Sequence, residues 1–284
     1  MKIAITGASG FVGKYLSNSL KDNDDVEILE LSRVQNIDIT QWEEIKTIDT
    51  DIDVVVHLAA KSFVPDSYTY PRDFFEVNIN GTLNALELCR KKNARLIYVS
   101  SYVYGPPQYL PVDELHPTND FNPYCESKLL SEQLCISYAK HFGVQTIILR
   151  PFNIYGVGQP KALIMQNIID QIKSGKVLLK DPRPKRDYLH VTDLVKAIEK
   201  AIYKVSEEKI IIYNIGFGKS YALDEMLGLF KNHYPNFEYS FSNEYRPNEV
   251  MDTVCNINKA KTELNWEPTT SLSNGIKNLL ESIL

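Results

Sequence analysis

The stretch TGASGFVG, residues 6–13, follows the β-type run KIAIT and opens a helical pattern near the start of the chain. A pyrophosphate is bound by backbone N–H groups at a helix N-terminus, where any side chain would obstruct its approach. Gly7, Gly10 and Gly13 therefore suit the turn, the phosphate contact and the helix–strand crossing of such a site. A glycine triplet alone is a weak signal, but one placed between a strand and a helix predicts a dinucleotide-binding unit.

Strand-like and helical segments alternate through the first two thirds of the chain. Residues 53–57, DVVVH, are apolar on both faces, which is typical of a parallel strand that helices cover on both sides. The alternation predicts the α/β class, with a doubly wound parallel sheet of the Rossmann type. The predicted strands are residues 2–6, 26–31, 36–39, 53–57, 95–100, 145–150 and 210–213, and the predicted long helices are 11–21, 73–92 and 124–142.

The alternation loosens after residue 150, where prolines recur and short elements mix. Residues 210–213, IIIY, read as a buried strand that returns to the first sheet. We therefore predict an NAD(P)-binding domain of residues 1–155 with about 192–216, and a smaller, interleaved C-terminal α/β substrate domain of about 156–191 and 217–284.

Composition and charge exclude several classes of partner. The 284 residues include 31 Lys and Arg against 36 Asp and Glu, a formal charge of −5 without a basic block, so we expect no nucleic acid partner. Hydrophobic residues make up 44% of the chain, which is enough for a buried core, but no apolar run approaches the roughly 18 residues of a membrane span. The N-terminal residues enter a strand directly and do not resemble a signal peptide.

The cysteines show neither a CxxC pair nor the spacing of metal ligands, so we expect no metal site. Each lies in an apolar or helical stretch, which predicts buried, neutral thiols in a reducing compartment, with the cytoplasm as the expected location. The four residues are Cys89, Cys125, Cys135 and Cys255.

The end of the second predicted strand, Leu31-Ser32-Arg33, bears on the choice of dinucleotide. An acidic side chain at this position binds the ribose hydroxyls of NAD, whereas a basic one accommodates the 2′-phosphate of NADP. Arg33 carries a planar guanidinium group that suits a phosphate. Glu30 comes one residue before the position that would contact the ribose, so its side chain is expected on the opposite face of the strand. The sequence therefore favours NADP(H), with NAD(H) as the possible alternative.

Tyr124 and Lys128 are four residues apart at the start of a predicted helix, so both side chains lie on one face. A free phenol titrates near pH 10, but a neighbouring ammonium and an oxidised nicotinamide both favour the phenolate. Ser100 and Ser101 follow a predicted strand, at the carboxyl edge where open α/β sheets bind ligands. A hydroxyl at that edge can hydrogen-bond a reacting carbonyl or alkoxide.

Together these motifs resemble the extended short-chain dehydrogenases/reductases, and in particular the NAD-dependent epimerase/dehydratase family, which modifies nucleotide-diphosphate sugars. The resemblance runs nearly end to end and implies an enzyme with a Rossmann domain and a nucleotide-sugar-binding domain. Besides the glycine turn and Tyr124-x-x-x-Lys128, it is carried by SSYVYG at 100–105, DVVVHLAAK at 53–61, EVNINGT at 76–82, RPFNIYG at 150–156, RDYLHV at 186–191, RPNE at 246–249 and LNWEP at 264–268.

The resemblance assigns roles by position. It implies that Tyr124, Lys128 and one serine are the catalytic residues. Counting forward from the strand identifies this serine as Ser101, which we favour, whereas counting back from Tyr104 identifies it as Ser100. The implied cofactor-binding residues are Gly7, Ser9, Gly10, Phe11, Val12, Gly13, Ser32, Arg33, Asp38, Ile39, Leu58, Ala59, Ala60, Lys61, Val99, Tyr124, Lys128, Pro151, Asn153 and Ile154. The implied substrate-binding residues are Ser62, Val64, Ser101, Tyr102, Tyr124, Asn153, Arg186, Arg246 and Glu249.

Family resemblance leaves the reaction open. Dehydratases of the family carry an Asp-Glu pair directly after the catalytic hydroxyl and epimerase-reductases carry an added cysteine in that loop, whereas this chain has Tyr102-Val103. The end of the second strand resembles the sugar ketoreductases, so we favour NADPH-dependent reduction of a nucleotide-diphosphate-linked 4-keto-6-deoxy sugar at C4, in deoxysugar or polysaccharide biosynthesis. The alternative is an NAD-dependent 4-epimerase of the UDP-hexose type, and a remote one is a non-catalytic NADP-binding sensor or scaffold.

The resemblance also implies a homodimer, because the two long helices near 74–92 and 124–142 pair between subunits in many relatives. Leucines on both helices could form that surface or pack on the sheet instead. These leucines are Leu83, Leu86, Leu88, Leu129, Leu130 and Leu134.

Overall fold

The structure, a computed structural model, describes residues 1–246 and 249–282. The chain divides into two compact units that interleave along the sequence. Residues 105–116, which the sequence analysis assigned to the first domain, belong to unit 2. Unit 1 comprises Met1–Tyr104, Pro117–Arg150 and Val195–Tyr213, and unit 2 comprises Gly105–His116, Pro151–Leu194 and Asn214–Leu284.

The strands and helices are numbered in chain order. The strands are β1 Lys2–Thr6, β2 Glu27–Leu31, β3 Val54–His57, β4 Arg95–Val99, β5 Thr146–Pro151, β6 Asn153–Tyr155, β7 Lys176–Leu179, β8 Lys185–His190, β9 Ile210–Ile215, β10 Ser220–Ala222 and β11 Glu238–Phe241. The helices are α1 Phe11–Lys21, α2 Trp42–Ile45, α3 Val64–Thr69, α4 Pro71–Phe75, α5 Gly81–Lys92, α6 Pro123–Phe142, α7 Ile164–Ile172, α8 Val191–Tyr203, α9 Leu223–His233, α10 Asn258–Glu263 and α11 Leu272–Glu281.

The main sheet has six strands in the order β2-β1-β3-β4-β5-β9, and the pairings from β2 through β5 are parallel. From β1 the chain proceeds to β2 on one side of β1, whereas β3 lies on the other side. The strand order therefore reverses at β1, and open α/β sheets bind ligands at the point where this order reverses. Val55 of β3 is fully buried because Leu86 of α5 and Cys135 of α6 pack in the same core cluster. The predicted α/β class with a doubly wound parallel sheet is confirmed.

The strand register determines which segments meet at the carboxyl edge of this sheet. Thr6 of β1 pairs with His57 of β3, and His57 pairs with Tyr98 of β4. The glycine turn, the loop after β3 and the serines after β4 therefore leave the sheet at one edge.

Two predicted elements differ from the structure. The strand expected at 36–39 is a loop, because Asn36 takes the left-handed conformation with φ 59° and ends a short 3₁₀ turn. The helix expected at 73–92 begins at Pro71 and contains a π-helical turn, Glu76–Asn80, between α4 and α5.

Unit 2 contains two small sheets, one with the order β10-β8-β6 and one that pairs β11 with β7. Ile168 of α7, Met226 of α9 and Ile276 of α11 are fully buried and form one core cluster with Tyr188 of β8. Helices and sheets of this unit thus share a core of their own.

Two further features concern the whole described chain. None of its helices, over residues 1–246 and 249–282, is long and apolar enough to cross a membrane. The four cysteines are free and buried, as predicted.

Candidate active site

The glycine turn lies tightly against the sheet edge. Gly7 has φ +69°, in the left-handed region, and a Cβ on it would lie 2.8 Å from the backbone nitrogen of Ala59. A Cβ on Gly13 would lie 2.3 Å from the carbonyl oxygen of Gly7, so glycine is required where α1 approaches the turn. Gly10 is the N-cap of α1 and has no side chain, so the N–H groups of the first helical turn are accessible to an anion. This cradle fits the pyrophosphate of a nicotinamide dinucleotide.

The segment after β2 carries both a cation and a carboxylate. Ser32 caps the 3₁₀ turn, and the exposed Arg33 side chain places Nε 3.3 Å from Oδ2 of Asp38. Partial burial raises the pKa of Asp38, but hydrogen bonds from Thr40 and the charge of Arg33 outweigh this and leave that pKa below its usual value. The position that selects between the dinucleotides therefore holds an ion pair rather than a lone arginine.

The loop after β3 is fixed by side chains from two directions. The N–H groups of Leu58 and Ala59 both lie 3.2 Å from Oγ1 of Thr6, which accepts from them. The backbone of Lys61 is bound by the Asn78 amide, which accepts from Lys61 N at 2.8 Å and donates to Lys61 O at 3.1 Å. The loop that faces the glycine turn is thus rigidly held.

Asn78 lies in the π-helical turn, a distortion that is frequent at functional sites. Its amide also donates to Ser127 Oγ on α6 at 2.8 Å, so it links three segments. Asn78 was not among the predicted site residues. The Lys61 ammonium, by contrast, pairs with Asp73 at 2.5 Å and is therefore engaged within the protein.

Tyr124 and Lys128 lie on the first turns of α6 with buried side chains. Asn122 caps this helix by accepting from the N–H of Cys125 at 2.8 Å. Lys128 is 3% exposed and donates to the carbonyl of Val99 at 2.8 Å, with its ammonium 4.4 Å from the centre of the Tyr98 ring. The ammonium is therefore held at the carboxyl end of β4.

The two serines after β4 have different partners. Ser101 lies close enough to the phenol of Tyr124 to lower its pKa. Ser100 is buried and donates to Oε1 of Glu132 at 2.6 Å. The structure thus brings Ser101 to the tyrosine and directs Ser100 into the protein.

Burial changes the proton affinities of this pair. It raises the pKa of Tyr124 to about 12, although the nearby Ser101 hydroxyl acts in the opposite direction. It lowers the pKa of Lys128 to about 8, against the negative charge of Glu132, which raises it. At neutral pH the phenol is therefore neutral and the ammonium still charged, so deprotonation of Tyr124 requires further positive charge.

His57 at the end of β3 is buried beside the same edge. Its Nδ1 lies 2.6 Å from Thr6 Oγ1 and its Nε2 lies 3.2 Å from Thr82 Oγ1, which itself donates to the carbonyl of Asn78. Thr82 must therefore accept from Nε2–H, which assigns the Nε2–H tautomer. Burial lowers the pKa of His57 to about 3, with a further contribution from the charge of Lys128, so the ring is a neutral connector.

In unit 2, the predicted anion-binding residues gather around one carboxylate. Arg186 donates to a carboxylate oxygen of Glu249, to the carbonyl of Val250 at 2.6 Å and to that of Lys185 at 2.9 Å. The Arg246 side chain is 73% exposed, and its Nη1 lies 3.9 Å from the second oxygen of Glu249. Pro247 and Asn248, part of the resembling stretch, lie outside the described residues.

Asp187 fixes the strand that carries Arg186. Its buried carboxylate accepts from the N–H groups of Phe217, Gly218 and Cys255 at 2.7–3.0 Å. Burial nevertheless raises the pKa of Asp187 to about 6, because it outweighs these three donors. Asn153 of β6, predicted as a ligand, donates to the Asp187 carbonyl at 3.2 Å.

The other predicted cofactor and substrate residues differ in exposure. Ile39 and Pro151 are buried; Phe11, Val12, Val64, Tyr102 and Ile154 are half-buried; and Ser9, Ala60 and Ser62 are exposed.

Sequence reasoning missed Glu132 and Arg150 as parts of the site. Glu132 follows Lys128 by one helical turn, and a carboxylate on that buried face was an available signal. Its partner Arg150 comes from the end of β5, and sequence spacing does not show that pairing.

Comparison with known proteins establishes the family. The model of the NAD dependent epimerase/dehydratase family matches residues 3–216. The chain belongs to this family. Family membership confirms the predicted resemblance and makes the protein an NAD(P)-dependent enzyme of sugar nucleotides.

Individual relatives of the family align along almost the whole chain. A protein of Methanocaldococcus jannaschii, provisionally named UDP-glucose 4-epimerase, is 32% identical over 98% of this chain and 97% of its own length. The crystal structure of the Thermotoga maritima UDP-glucose 4-epimerase with UDP-glucose has a TM-score of 0.91 at 26% identity and covers 99% of this chain and 98% of that one. RMD from Pseudomonas aeruginosa, solved with NADPH, has a TM-score of 0.90 at 25% identity over 99% and 97%.

The two relatives named as UDP-glucose 4-epimerases favour the predicted 4-epimerase alternative over the ketoreductase. The preference for NADP(H) is not confirmed, since the family is described as NAD dependent while one neighbour was solved with NADPH.

Proposed function

We propose that this protein is a 4-epimerase of a nucleotide-diphosphate hexose, most simply UDP-glucose and UDP-galactose. The proximity of Ser101 to the buried Tyr124, one helical turn before Lys128, is the observation that supports this most strongly. The similarity to UDP-glucose 4-epimerases supports the substrate class.

In this proposal a bound nicotinamide dinucleotide supplies the oxidation and reduction at C4 of the sugar. Tyr124 takes the proton of the C4 hydroxyl and later returns it. Ser101 orients the reacting oxygen, and the Lys128 ammonium favours the phenolate. With Lys128 in place, burial still holds the pKa of Tyr124 at about 12, so the positive charge of the oxidised cofactor is also needed to make the phenol a base near neutral pH.

We further propose that the cofactor is NAD(H). Asp38 lies against Arg33 and would repel a 2′-phosphate, while its carboxylate suits ribose hydroxyls. Equilibrium binding of NAD and NADP to the wild type and to Asp38→Asn tests this. We expect the variant to gain affinity for NADP, and a wild type that binds NADP more tightly would reinstate the preference for NADP(H).

For the substrate, we propose that Arg186 and Arg246 bind the diphosphate. Both guanidinium groups can donate charge-assisted hydrogen bonds to phosphate oxygens. Glu249 interacts with both, so a diphosphate must exchange with or share these contacts.

The decisive experiment incubates purified protein with UDP-glucose and follows UDP-galactose by NMR, with and without added NAD. Conversion without net change in nicotinamide absorbance supports the epimerase. A second candidate, the 4-ketoreductase, is favoured by the Ser32-Arg33 segment. If NADPH is consumed with a 4-keto-6-deoxy sugar nucleotide while UDP-glucose remains unchanged, the epimerase proposal is wrong.

A further inference from the structure

A buried ion pair lies directly behind the proposed proton-transfer residues. Glu132 on α6 and Arg150 at the end of β5 have side chains that are 2% and 6% exposed. Arg150 donates through Nε to Oε1 of Glu132 at 3.0 Å and through Nη2 to Oε2 at 2.6 Å. Its third nitrogen donates to the hydroxyl of Tyr104 at 2.8 Å. Each charge is therefore compensated, with every contact inside unit 1.

The same carboxylate reaches the strand that leads to the catalytic serine. Oε1 of Glu132 accepts from Ser100 at 2.6 Å as well as from Arg150. Ser100 directly precedes Ser101, whose hydroxyl meets Tyr124. Glu132 thereby connects the ends of β4 and β5 to α6, the helix that carries Tyr124 and Lys128.

Glu132 also follows Lys128 by four residues, so the two side chains share a helix face. Burial lowers the pKa of Lys128, and the charge of Glu132 is the largest influence in the opposite direction. The titratable or charged groups around Lys128 are Tyr124, Glu132 and Cys135 on α6, His57 on β3, Tyr98 on β4 and, beyond Glu132, Arg150 on β5. Burial favours the neutral forms of Cys135, His57, Tyr98 and Tyr124, which leaves Glu132 as the negative charge among these groups.

We propose that Glu132, held by Arg150 and Ser100, is a positioning residue of the proton transfer: it aligns the strand of Ser101 with the helix of Tyr124 and stabilises the charged form of Lys128. The inference rests on the proposed roles of Tyr124 and Lys128. It assigns a function to Ser100 as well, that of an anchor rather than a group that contacts substrate.

The test titrates Lys128 in the NAD-loaded protein, without any sugar substrate. The ¹³C chemical shift of the lysine Cε atoms is recorded against pH, and the difference between the wild type and Lys128→Met isolates the signal of Lys128 from the other lysines. The same titration is then measured in Glu132→Gln, which keeps an acceptor for Ser100 but removes the charge. We expect the pKa of Lys128 to fall by about one to two units, the size expected for the loss of a unit charge about one helical turn away. Glu126→Gln, an exposed change of the same kind on α6, is the matched control and leaves the pKa of Lys128 unchanged.

A second variant covers the case in which Glu132→Gln does not fold, because an unpaired buried guanidinium is strongly destabilising. The double variant Glu132→Gln/Arg150→Gln removes both charges and should fold, with a smaller shift of the Lys128 pKa in the same direction. An unchanged Lys128 pKa in either folded variant overturns the inference and reduces the ion pair to a packing element. Because no sugar is present, failure of the proposed epimerase reaction does not decide this outcome.

Discussion

We assign one region of the molecule to catalysis and another to anion binding, and the charged side chains of the two regions differ in burial and in their partners. In unit 1, Tyr124, Lys128 and Glu132 are buried, and their hydrogen bonds end on other protein groups. In unit 2, Arg186 and Arg246 contact the partly exposed Glu249. The first arrangement fixes proton affinities before any ligand arrives, whereas the second offers cations whose internal partner can be exchanged. Substitutions in the first region should therefore affect turnover, and those in the second should affect substrate affinity.

The largest expected effect is that of Tyr124→Phe. Removing the phenolic hydroxyl eliminates the proton carrier, and general acid–base catalysis of this kind contributes about 10²- to 10⁴-fold to the rate. We expect kcat for UDP-hexose interconversion to fall by that factor while the dissociation constant of NAD changes by less than about threefold. Rate assays and cofactor titration check both parts, and a variant with wild-type turnover would exclude Tyr124 as the proton carrier.

The second effect concerns the stability of unit 1 at low pH. His57 has a folded pKa of about 3, below the 6.5 of an unfolded histidine, so between these values the unfolded chain binds one more proton. The free energy of unfolding should therefore fall as pH is lowered from 6.5, by about 1.4 kcal/mol per pH unit. Urea unfolding followed by the fluorescence of Trp42, in unit 1, measures this slope.

His57→Gln provides the control for this slope, because the amide does not titrate in this range. We expect a lower stability at pH 7 but a flatter profile between pH 5 and 6.5. An identical slope in wild type and variant would show that His57 does not control the acid sensitivity of unit 1.

The third effect concerns unit 2, where the free energy of unfolding should change with pH in the opposite direction. Asp187 has a folded pKa of about 6, above the 3.8 of a free carboxyl, so the folded chain binds one more proton between these values. Its contribution to stability is therefore complete below pH 3.8 and is lost as pH rises to 6, again by about 1.4 kcal/mol per unit. The buried Trp266 reports on this unit. In Asp187→Asn the contribution should disappear, whereas exposed Asp170→Asn should retain it.

The smallest expected effect is on substrate affinity. Arg186→Gln removes a charge-assisted donor to the diphosphate, worth about 1.5–3 kcal/mol, so KM should rise roughly 10- to 100-fold with little change in kcat. Exposed Arg72→Gln is the matched control for removal of a guanidinium. A fall in kcat with constant KM would contradict the division of labour between the two regions.

Much of the fold followed from local patterns in the sequence. The glycine turn, the apolar run of β3 and the spacing of Tyr124 and Lys128 each depend on residues close together in the chain, so periodicity and turn chemistry predicted them. The strand expected at 36–39 was wrong because Asn36 takes a left-handed conformation that composition does not reveal. The π-helical turn at Asn78 was missed for a similar reason: its contacts to Lys61 and Ser127 come from distant segments.

What the sequence determined by itself is the chemistry that is available: a cradle for a pyrophosphate, a phenol with an ammonium one turn later, and arginines suited to phosphate. The tertiary structure decided which of these groups meet and in what protonation state. It directed Ser101 to Tyr124 and Ser100 to Glu132, and it placed Arg150 against Glu132 across 18 positions of the chain. The physical reason is that strand register and burial, which depend on long-range packing, set distances and desolvation, and these in turn set proton affinity.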